Sequence, residues 1–275
     1  MELKQIVDAA LNEDMPNGDI TTDSLGIEVK HGRARLLAKE DLVLSGSMPF
    51  EKTLKTVEPN CQIQWYFRDG DLVLRAQTIA VIEGNLVQIL KGERVALNFL
   101  GHLSGIATFT KCFVNELGKS KTKLLDTRKT LPLFRDLEKQ AVVHGGGNNH
   151  RKNLSDAIMI KNNHIAMIGG MGKAVSAIRQ RTSKPIEVEA RTLEEVKQAI
   201  NLNIDRILLD NMPDPLLKEA LQLIPKSIST EASGNMTLAR IKTIASLGLN
   251  YISVGAITHS APVADVSLHF DWEKS

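Results

Sequence analysis

Four short runs in the C-terminal half start at nearly even intervals. They are Ile186–Glu189 (IEVE), Arg206–Asp210 (RILLD), Ile228–Glu231 (ISTE) and Tyr251–Gly255 (YISVG), which start 20, 22 and 23 residues apart. Such an interval holds one strand, one helix and two short loops, the repeat of a parallel sheet or barrel. Two upstream runs, Lys123–Asp126 (KLLD) and Ile158–Lys161 (IMIK), extend the series to six. Segments with helical periodicity lie between the later runs: Ala174–Arg181, Leu193–Leu202, Leu216–Ile224 and Leu238–Leu247. Six strands in about 140 residues fall short of a closed eight-stranded barrel. The pattern alone leaves two architectures open, an incomplete barrel and an open doubly wound sheet.

The ionic residues gather at one end of these strands. In βα arrays ligands bind at the carboxyl ends of the strands. The first run leads into Asp126-Thr127-Arg128-Lys129, the second ends at Lys161, the third at Glu189 and the fourth at Asp210. The fifth ends at Glu231 and continues Ala232-Ser233-Gly234-Asn235, and the sixth runs through Gly255 to His259. One such residue alone reads as a loop charge facing water. Six strands ending this way read as a shared rim, cationic on one side and acidic on the other. That rim suits an anionic substrate with a metal or a hydroxyl-rich part.

On the cationic side, His150-Arg151 follows the run Gly145-Gly146-Gly147-Asn148-Asn149. Glycines there could let backbone N–H groups approach an anion, although a plain flexible loop explains them as well. Gly169-Gly170-Met171-Gly172-Lys173 lacks the spacing of a phosphate-binding P-loop and continues with Ala174 instead of a hydroxyl residue, so it reads as the start of a helix. No dinucleotide fingerprint, zinc-protease helix or serine-hydrolase elbow is present. Of the seven histidines, His150 and His259 are the site candidates, and His31, His102, His144 and His269 read as structural or exposed.

Composition narrows the classes. With 43% apolar and 24% charged residues the chain is not disordered. Thirty-four Lys+Arg against 32 Asp+Glu give no global basic field, so nucleic acid is not an expected partner. Cys61 and Cys112 form no CxxC pair, which argues against a disulfide framework and fits a reducing cytoplasm. Glu2, Lys4 and Asp8 exclude an apolar signal core at the start, and the uncharged stretch Thr243–Ala264 is interrupted by Asn250, His259 and Pro262, so no membrane association is expected.

The N-terminal half reads as α+β. A helix over Leu3–Leu11 is stopped by Pro16 and Gly18, and Arg33–Leu44 is extended. Met48–Val57 is helical, and strands at Gln62–Phe67 and Leu72–Leu74 flank the turn Arg68–Asp71. A long helix covers about Asn85–Glu116, with a break expected near Gly101 or Gly105.

Taken in order, these motifs resemble a known family. They are Asp126-Thr-Arg-Lys-Thr130, Gly145-Gly-Gly-Asn-Asn-His-Arg151, Ile160-Lys-Asn-Asn-His-Ile165, Glu187-Val-Glu189, Leu209-Asp-Asn211, Glu231-Ala-Ser-Gly234 and Ile252–Ser260. The N-terminal half adds Glu13–Thr22, Glu93–Asn98 and Leu103–Thr108. Together they resemble the quinolinate phosphoribosyltransferases over about residues 3–270. Three places depart from the family pattern. Leu131-Pro-Leu-Phe-Arg135 stands where a Thr-Pro-Gly-Leu-Arg run is frequent, Asn162 where an aspartate is common, and Asn235 where a second glycine is usual.

The resemblance implies an N-terminal α+β sandwich-like domain (1–103, with 265–275 returning to it) and an incomplete, about seven-stranded α/β barrel (104–264). It implies transfer of phosphoribosyl from 5-phosphoribosyl-1-pyrophosphate to quinolinate with decarboxylation and Mg²⁺, a step of NAD synthesis. It also implies a homodimer in which Arg94 is donated across the interface. Arg94, Arg128, Lys129, His150 and Arg151 would serve mainly quinolinate, Lys161 the pyrophosphate or the reacting face, and Thr127 would also bind substrate. Glu189 and Asp210 would hold ribose hydroxyls and Mg²⁺, and Ser233, Gly234, Asn235, Gly255 and His259 the 5-phosphate. Lys129, Lys161, Glu189 and Asp210 are the expected catalytic residues. Three other readings are a molybdate-transport-linked homologue, against which Arg94, Arg128, Arg151 and Lys161 together argue, a Schiff-base barrel aldolase using Lys161, and an anion-binding module without turnover.

Overall fold

The computed structural model describes residues 2–27 and 29–271. In chain order its first elements are α1 (Leu3–Asp14), α2 (Ile20–Ser24), β1 (His31–Ala38), β2 (Leu42–Val43), α3 (Ser47–Val57), β3 (Gln62–Trp65), β4 (Leu72–Val73), β5 (Thr78–Asn85) and α4 (Leu86–Leu117). Next come β6 (Lys123–Leu125), α5 (Arg135–His144), β7 (Ile158–Ile160), α6 (Asn162–Ile168), α7 (Met171–Arg179), β8 (Ile186–Ala190) and α8 (Leu193–Ala199). The last are β9 (Arg206–Asp210), α9 (Asp214–Leu223), β10 (Ser229–Ser233), α10 (Leu238–Ile244), β11 (Tyr251–Ser253), α11 (Ala256–His259) and β12 (Val266–Asp271).

The chain forms two compact units. One comprises residues up to Lys111, Leu131–Gly146 and the segment from Ser260; the other comprises Cys112–Thr130 and Gly147–His259. The two units part within α4, between Lys111 and Cys112, and residues 131–146 belong to the first unit.

The first unit is built on an antiparallel sheet ordered β12-β1-β5-β3. β12 pairs with β1 from Arg33↔Asp271 to Ala38↔Val266, which places residues 266–271 at the edge of this sheet. Residues 272–275 of the expected segment 265–275 lie outside the described residues. Alternation along β1 turns Ala34, Leu36 and Ala38 inward. Phe50 and Leu54 of α3 and Ile89, Ala96 and Leu100 of α4 belong to the same buried cluster. Val95 and Phe99 of α4 pack instead with Ile6, Val7 and Leu11 of α1. A helix with apolar residues on both flanks is buried on both flanks.

One expectation fails here. α4 runs unbroken through Gly101 and Gly105. A Cβ on Gly105 would stand 2.0 Å from the Pro262 carbonyl oxygen, and one on Gly101 would stand 2.9 Å from that of Ala264. These glycines admit a crossing backbone segment, which donates from Ala264 N–H to Gly101 O at 2.9 Å. The strands expected on either side of the turn Arg68–Asp71 are present as β3 and β4, but they do not pair with each other: β3 pairs with β5, while β4 pairs with β2. β5 was not singled out by pattern because its centre, Ile79–Ile82, is buried on both faces and shows no alternation.

The second unit is a parallel sheet ordered β6-β11-β10-β9-β8-β7. The six strands match the six runs to within about two residues. Among the described residues there is no seventh strand in this sheet. Where one would fall between β6 and β7, the chain makes a single bridge, Leu125↔Asn148. It rests on Asn148 N–H to Leu124 O (2.8 Å) and Asp126 N–H to Asn148 O (3.1 Å), and leads straight into His150. Lateral pairing puts Glu187 beside Arg206 and Arg206 beside Ser229; one step on, Glu189, Leu208, Glu231 and Tyr251 share a row. Strand alternation thus gives one face of this sheet an unusually polar lining.

Candidate active site

A cavity of about 790 Å³ lies at the carboxyl ends of the parallel strands. Thr127, Arg128 and Lys129 reach it after β6, and His150 and Arg151 after the Asn148 bridge. β7 adds Met159 and Lys161, and β9 adds Leu208, Asp210 and Asn211. β10 contributes Glu231, Ser233, Gly234, Asn235 and Met236, and β11 leads to Ser253, Gly255 and His259. Residues spread over more than 130 positions converge because every βα repeat returns the chain to the same rim.

Local chemistry fixes each segment. Lys129 N–H donates to Thr127 Oγ1 (3.0 Å), and Thr258 Oγ1 donates to Lys129 O (2.7 Å). Gly255 gives Lys129 room, since a Cβ there would lie 3.0 Å from Lys129 Cδ and 3.2 Å from His259 Nε2. Lys161 is the N-cap of α6, and its N–H donates to His164 Nδ1 (2.9 Å). Gly234 has φ +93°, and a Cβ there would meet Asn211 Oδ1 at 2.2 Å. Asn235 follows at φ +49° and donates to Asn211 Oδ1 at 3.1 Å. Asparagine is among the side chains that tolerate the left-handed region, so the departure from glycine at 235 keeps the turn. Arg240 Nη1 closes the loop by donating to Gly234 O (2.7 Å).

The cations sit close enough to feel one another. Burial and the neighbouring Arg128 both push the Arg151 pKa below its ordinary value. Two adjacent arginines in a cavity form a site for a multiply charged anion. Arg151 is oriented by Nη1 to Ala157 O (3.1 Å). Beneath this rim, His150 Nε2 lies 3.3 Å from Glu187 Oε2 and 3.5 Å from Glu231 Oε1. Burial opposes charge on His150, but the two carboxylates outweigh it and raise its pKa to about 9. Burial raises Glu187, whereas for Glu231 the opposing pull of His150, Ser253 and Arg206 prevails and lowers it. His150 N–H donates to the buried Asp126 Oδ1 at 2.8 Å.

Of the fourteen expected site residues, twelve line the cavity and two do not. Glu189 stands behind Lys161, with Oε2 3.5 Å from Lys161 Nζ and Oε1 accepting from Asn162 Nδ2 at 2.6 Å. Asn162 thus supplies a donor where an aspartate would confront Glu189 with like charge. Arg94 is exposed on α4 in the first unit. Gly145 does not face the cavity; a Cβ there would stand 2.3 Å from Ala107 O, so the start of the glycine run serves packing against α4. Strand-end reading missed Glu187, Arg206 and the loop clamp Arg240. The spacing Glu187/Glu189 and Arg206/Leu208/Asp210 was the available signal, because residues two apart share a face.

As to a divalent cation, Asp210 fits. Its half-buried carboxylate lines the cavity and has no hydrogen bond or ion pair among the described residues, and hard oxygen ligands suit Mg²⁺. His150, Glu187 and Glu231 also place ligand atoms within 4.8 Å of one another, but Arg206 and His150 already supply the positive charge there. No described helix is long and apolar enough to cross a membrane.

A cation-lined cavity at the strand ends of a six-stranded parallel α/β sheet, with Asp210 and Glu231 also in its lining, defines an enzyme for polyanionic substrates. Family models for the quinolinate phosphoribosyl transferase N-terminal and C-terminal domains match residues 19–104 and 106–269. The chain is 40% identical to a mitochondrial quinolinate phosphoribosyltransferase (decarboxylating) of Nicotiana tabacum, covering 99% of this chain and 83% of that protein. It is 41% identical to a probable nicotinate-nucleotide pyrophosphorylase (carboxylating) of Synechocystis, covering 94% and 89%. The solved nicotinate-nucleotide pyrophosphorylase of Francisella tularensis matches with TM-score 0.93 at 38% identity, covering 98% of this chain and 96% of that one. That of Ehrlichia chaffeensis matches with TM-score 0.95 at 34% identity, covering 98% and 99%. The chain belongs to the quinolinate phosphoribosyltransferase family.

Proposed function

We propose that this cavity transfers phosphoribosyl from 5-phosphoribosyl-1-pyrophosphate to quinolinate, with loss of CO₂, giving nicotinate mononucleotide and pyrophosphate. The single observation that carries the reading is that Arg128 and Arg151, close enough to act on each other, line one cavity together with Lys129 and Lys161. Quinolinate brings two carboxylates, and a buried dianion requires paired donors. Each charge-assisted hydrogen bond contributes about 1.5–3 kcal/mol.

Departure of pyrophosphate leaves positive charge at the ribose C1, and the pyridine nitrogen forms the new C–N bond there. The C2–carboxylate bond then breaks, CO₂ leaves, and the electron pair stays on C2 beside the cationic ring nitrogen until a solvent proton takes it. The chain's part is orientation and fixed charge. Arg128, Arg151, Thr127 and Lys129 bind the dicarboxylate over His150, and Lys161 faces the leaving pyrophosphate. Asp210 and, behind Lys161, Glu189 address the ribose hydroxyls. Ser233, Gly234, Asn235, Gly255 and His259 bind the 5-phosphate. Mg²⁺ is the proposed cation; Asp210 would hold it, with Glu189 as a second carboxylate, and it would offset the charge of the pyrophosphate. Arg94, exposed on α4, is proposed to complete the site of a second copy in a homodimer. Free Cys61 and Cys112 support a reducing compartment, the cytoplasm.

Purified protein given quinolinate, 5-phosphoribosyl-1-pyrophosphate and Mg²⁺ should release CO₂ and nicotinate mononucleotide in equal amounts. Mononucleotide without CO₂, or neither product, would overturn the reading.

A further inference from the structure

Glu231 poses an electrostatic problem. It lines the cavity, its side chain is fully buried, and its carboxylate lies beneath a rim that has to receive an anion. Left bare, it would repel that anion and cost several kcal/mol of desolvation. Arg206 answers from the opposite side. Its Nη1 lies 3.0 Å from Glu231 Oε2, and its guanidinium carbon sits 4.0 Å from the centroid of the Tyr251 ring. Arg206 opens β9, at the far end of the strand from Asp210, and is not part of the cavity wall. The other Glu231 oxygen faces His150, which also faces Glu187. Glu187, His150, Glu231 and Arg206 thus form one chain of charges that runs from the half-buried Arg206 on Tyr251 to the buried Glu231 in the cavity lining.

We infer that Arg206 is a positioning residue of the dicarboxylate subsite: seated on Tyr251, it neutralises Glu231 from below and frees the cavity floor of net negative charge. It acts through Glu231 and His150 and touches no substrate. This deepens the proposed function and rests on it.

Charge balance and simple structural support make different predictions for a paired substitution. Steady-state kinetics with the full chain would compare Arg206→Met, Glu231→Gln and the double variant. Arg206→Met should raise KM for quinolinate about tenfold or more while leaving KM for 5-phosphoribosyl-1-pyrophosphate within about threefold. The double variant, with both charges gone, should return KM for quinolinate to within about threefold of wild type. An unmoved KM in Arg206→Met, or a double variant no better than the single, would overturn the inference. If Arg206→Met does not fold, the double variant still decides. A near-wild-type KM for quinolinate upholds the inference, and a tenfold rise rejects it. Wild-type protein that fails to turn over quinolinate removes the functional reading and this inference with it. Wild-type turnover with an insensitive Arg206→Met removes the inference alone.

Discussion

Leu133 occupies a left-handed backbone position, φ +68°, that favours glycine, and its side chain is 66% exposed. Its neighbours hold it there: Leu131 N–H donates to buried Glu138 Oε2 (3.3 Å), His102 Nε2 meets Glu138 Oε1 at 2.8 Å, and Phe134 stacks on Phe99. A left-handed non-glycine residue costs about 1–2 kcal/mol. Leu133→Gly should therefore raise stability in denaturant melts by up to about 1 kcal/mol, partly offset by the freer unfolded chain; a loss would show that the Leu133 side chain contributes packing. The His150 cluster gives a second expectation. Its folded pKa, about 9, exceeds the ordinary 6.5. The associated stabilisation is complete below pH 6.5 and disappears as pH rises through about 9, amounting to as much as about 3 kcal/mol. Glu187, also raised, has the same sign. Stability of the wild type should fall between pH 6.5 and 9, with a shallower slope in His150→Gln; identical slopes would contradict the assignment. The rim cations were legible in the sequence because they stand in polar runs just after strands. Glu187 and Arg206 were not, since a strand-end rule does not look inside or at the start of a strand.

At the scale of elements, the βα repeat was readable because each strand of the second unit is a short apolar run between amphipathic helices. Glycine inside α4 was ambiguous, because a helix break and a close backbone crossing call for the same residue, and only the position of Pro262–Ala264 separates them. Gly105→Ala should cost about 1–3 kcal/mol or more, as a carbonyl oxygen 2.0 Å from the new Cβ belongs to backbone and cannot rotate away. Gly172→Ala is the control. It lies in α7 with its nearest neighbour 3.8 Å from a new Cβ, and alanine there should gain up to about 1 kcal/mol. Equal midpoints for the two variants in chemical denaturation would remove the packing explanation. β3 and β4 illustrate the opposite limit: a good turn sequence fixes a turn, not the partners of the strands beside it.

For the whole molecule, two consequences follow from the proposed assembly. Arg94→Ala and Lys129→Ala proteins should each be inactive. After subunit exchange, half of the randomly formed dimers are mixed, and each mixed dimer carries one intact site, so about a quarter of wild-type activity should return. No recovery after verified exchange would mean that Arg94 does not cross between copies. The central claim is that basic residues far apart in sequence meet to read two carboxylates at once, and the most direct measurement is kcat/KM for quinolinate against nicotinate, which lacks one of them. Leaving paired buried donors without a partner penalises the wrong substrate heavily, so quinolinate should be favoured by about 10³ or more. Comparable values for the two acids would contradict the account.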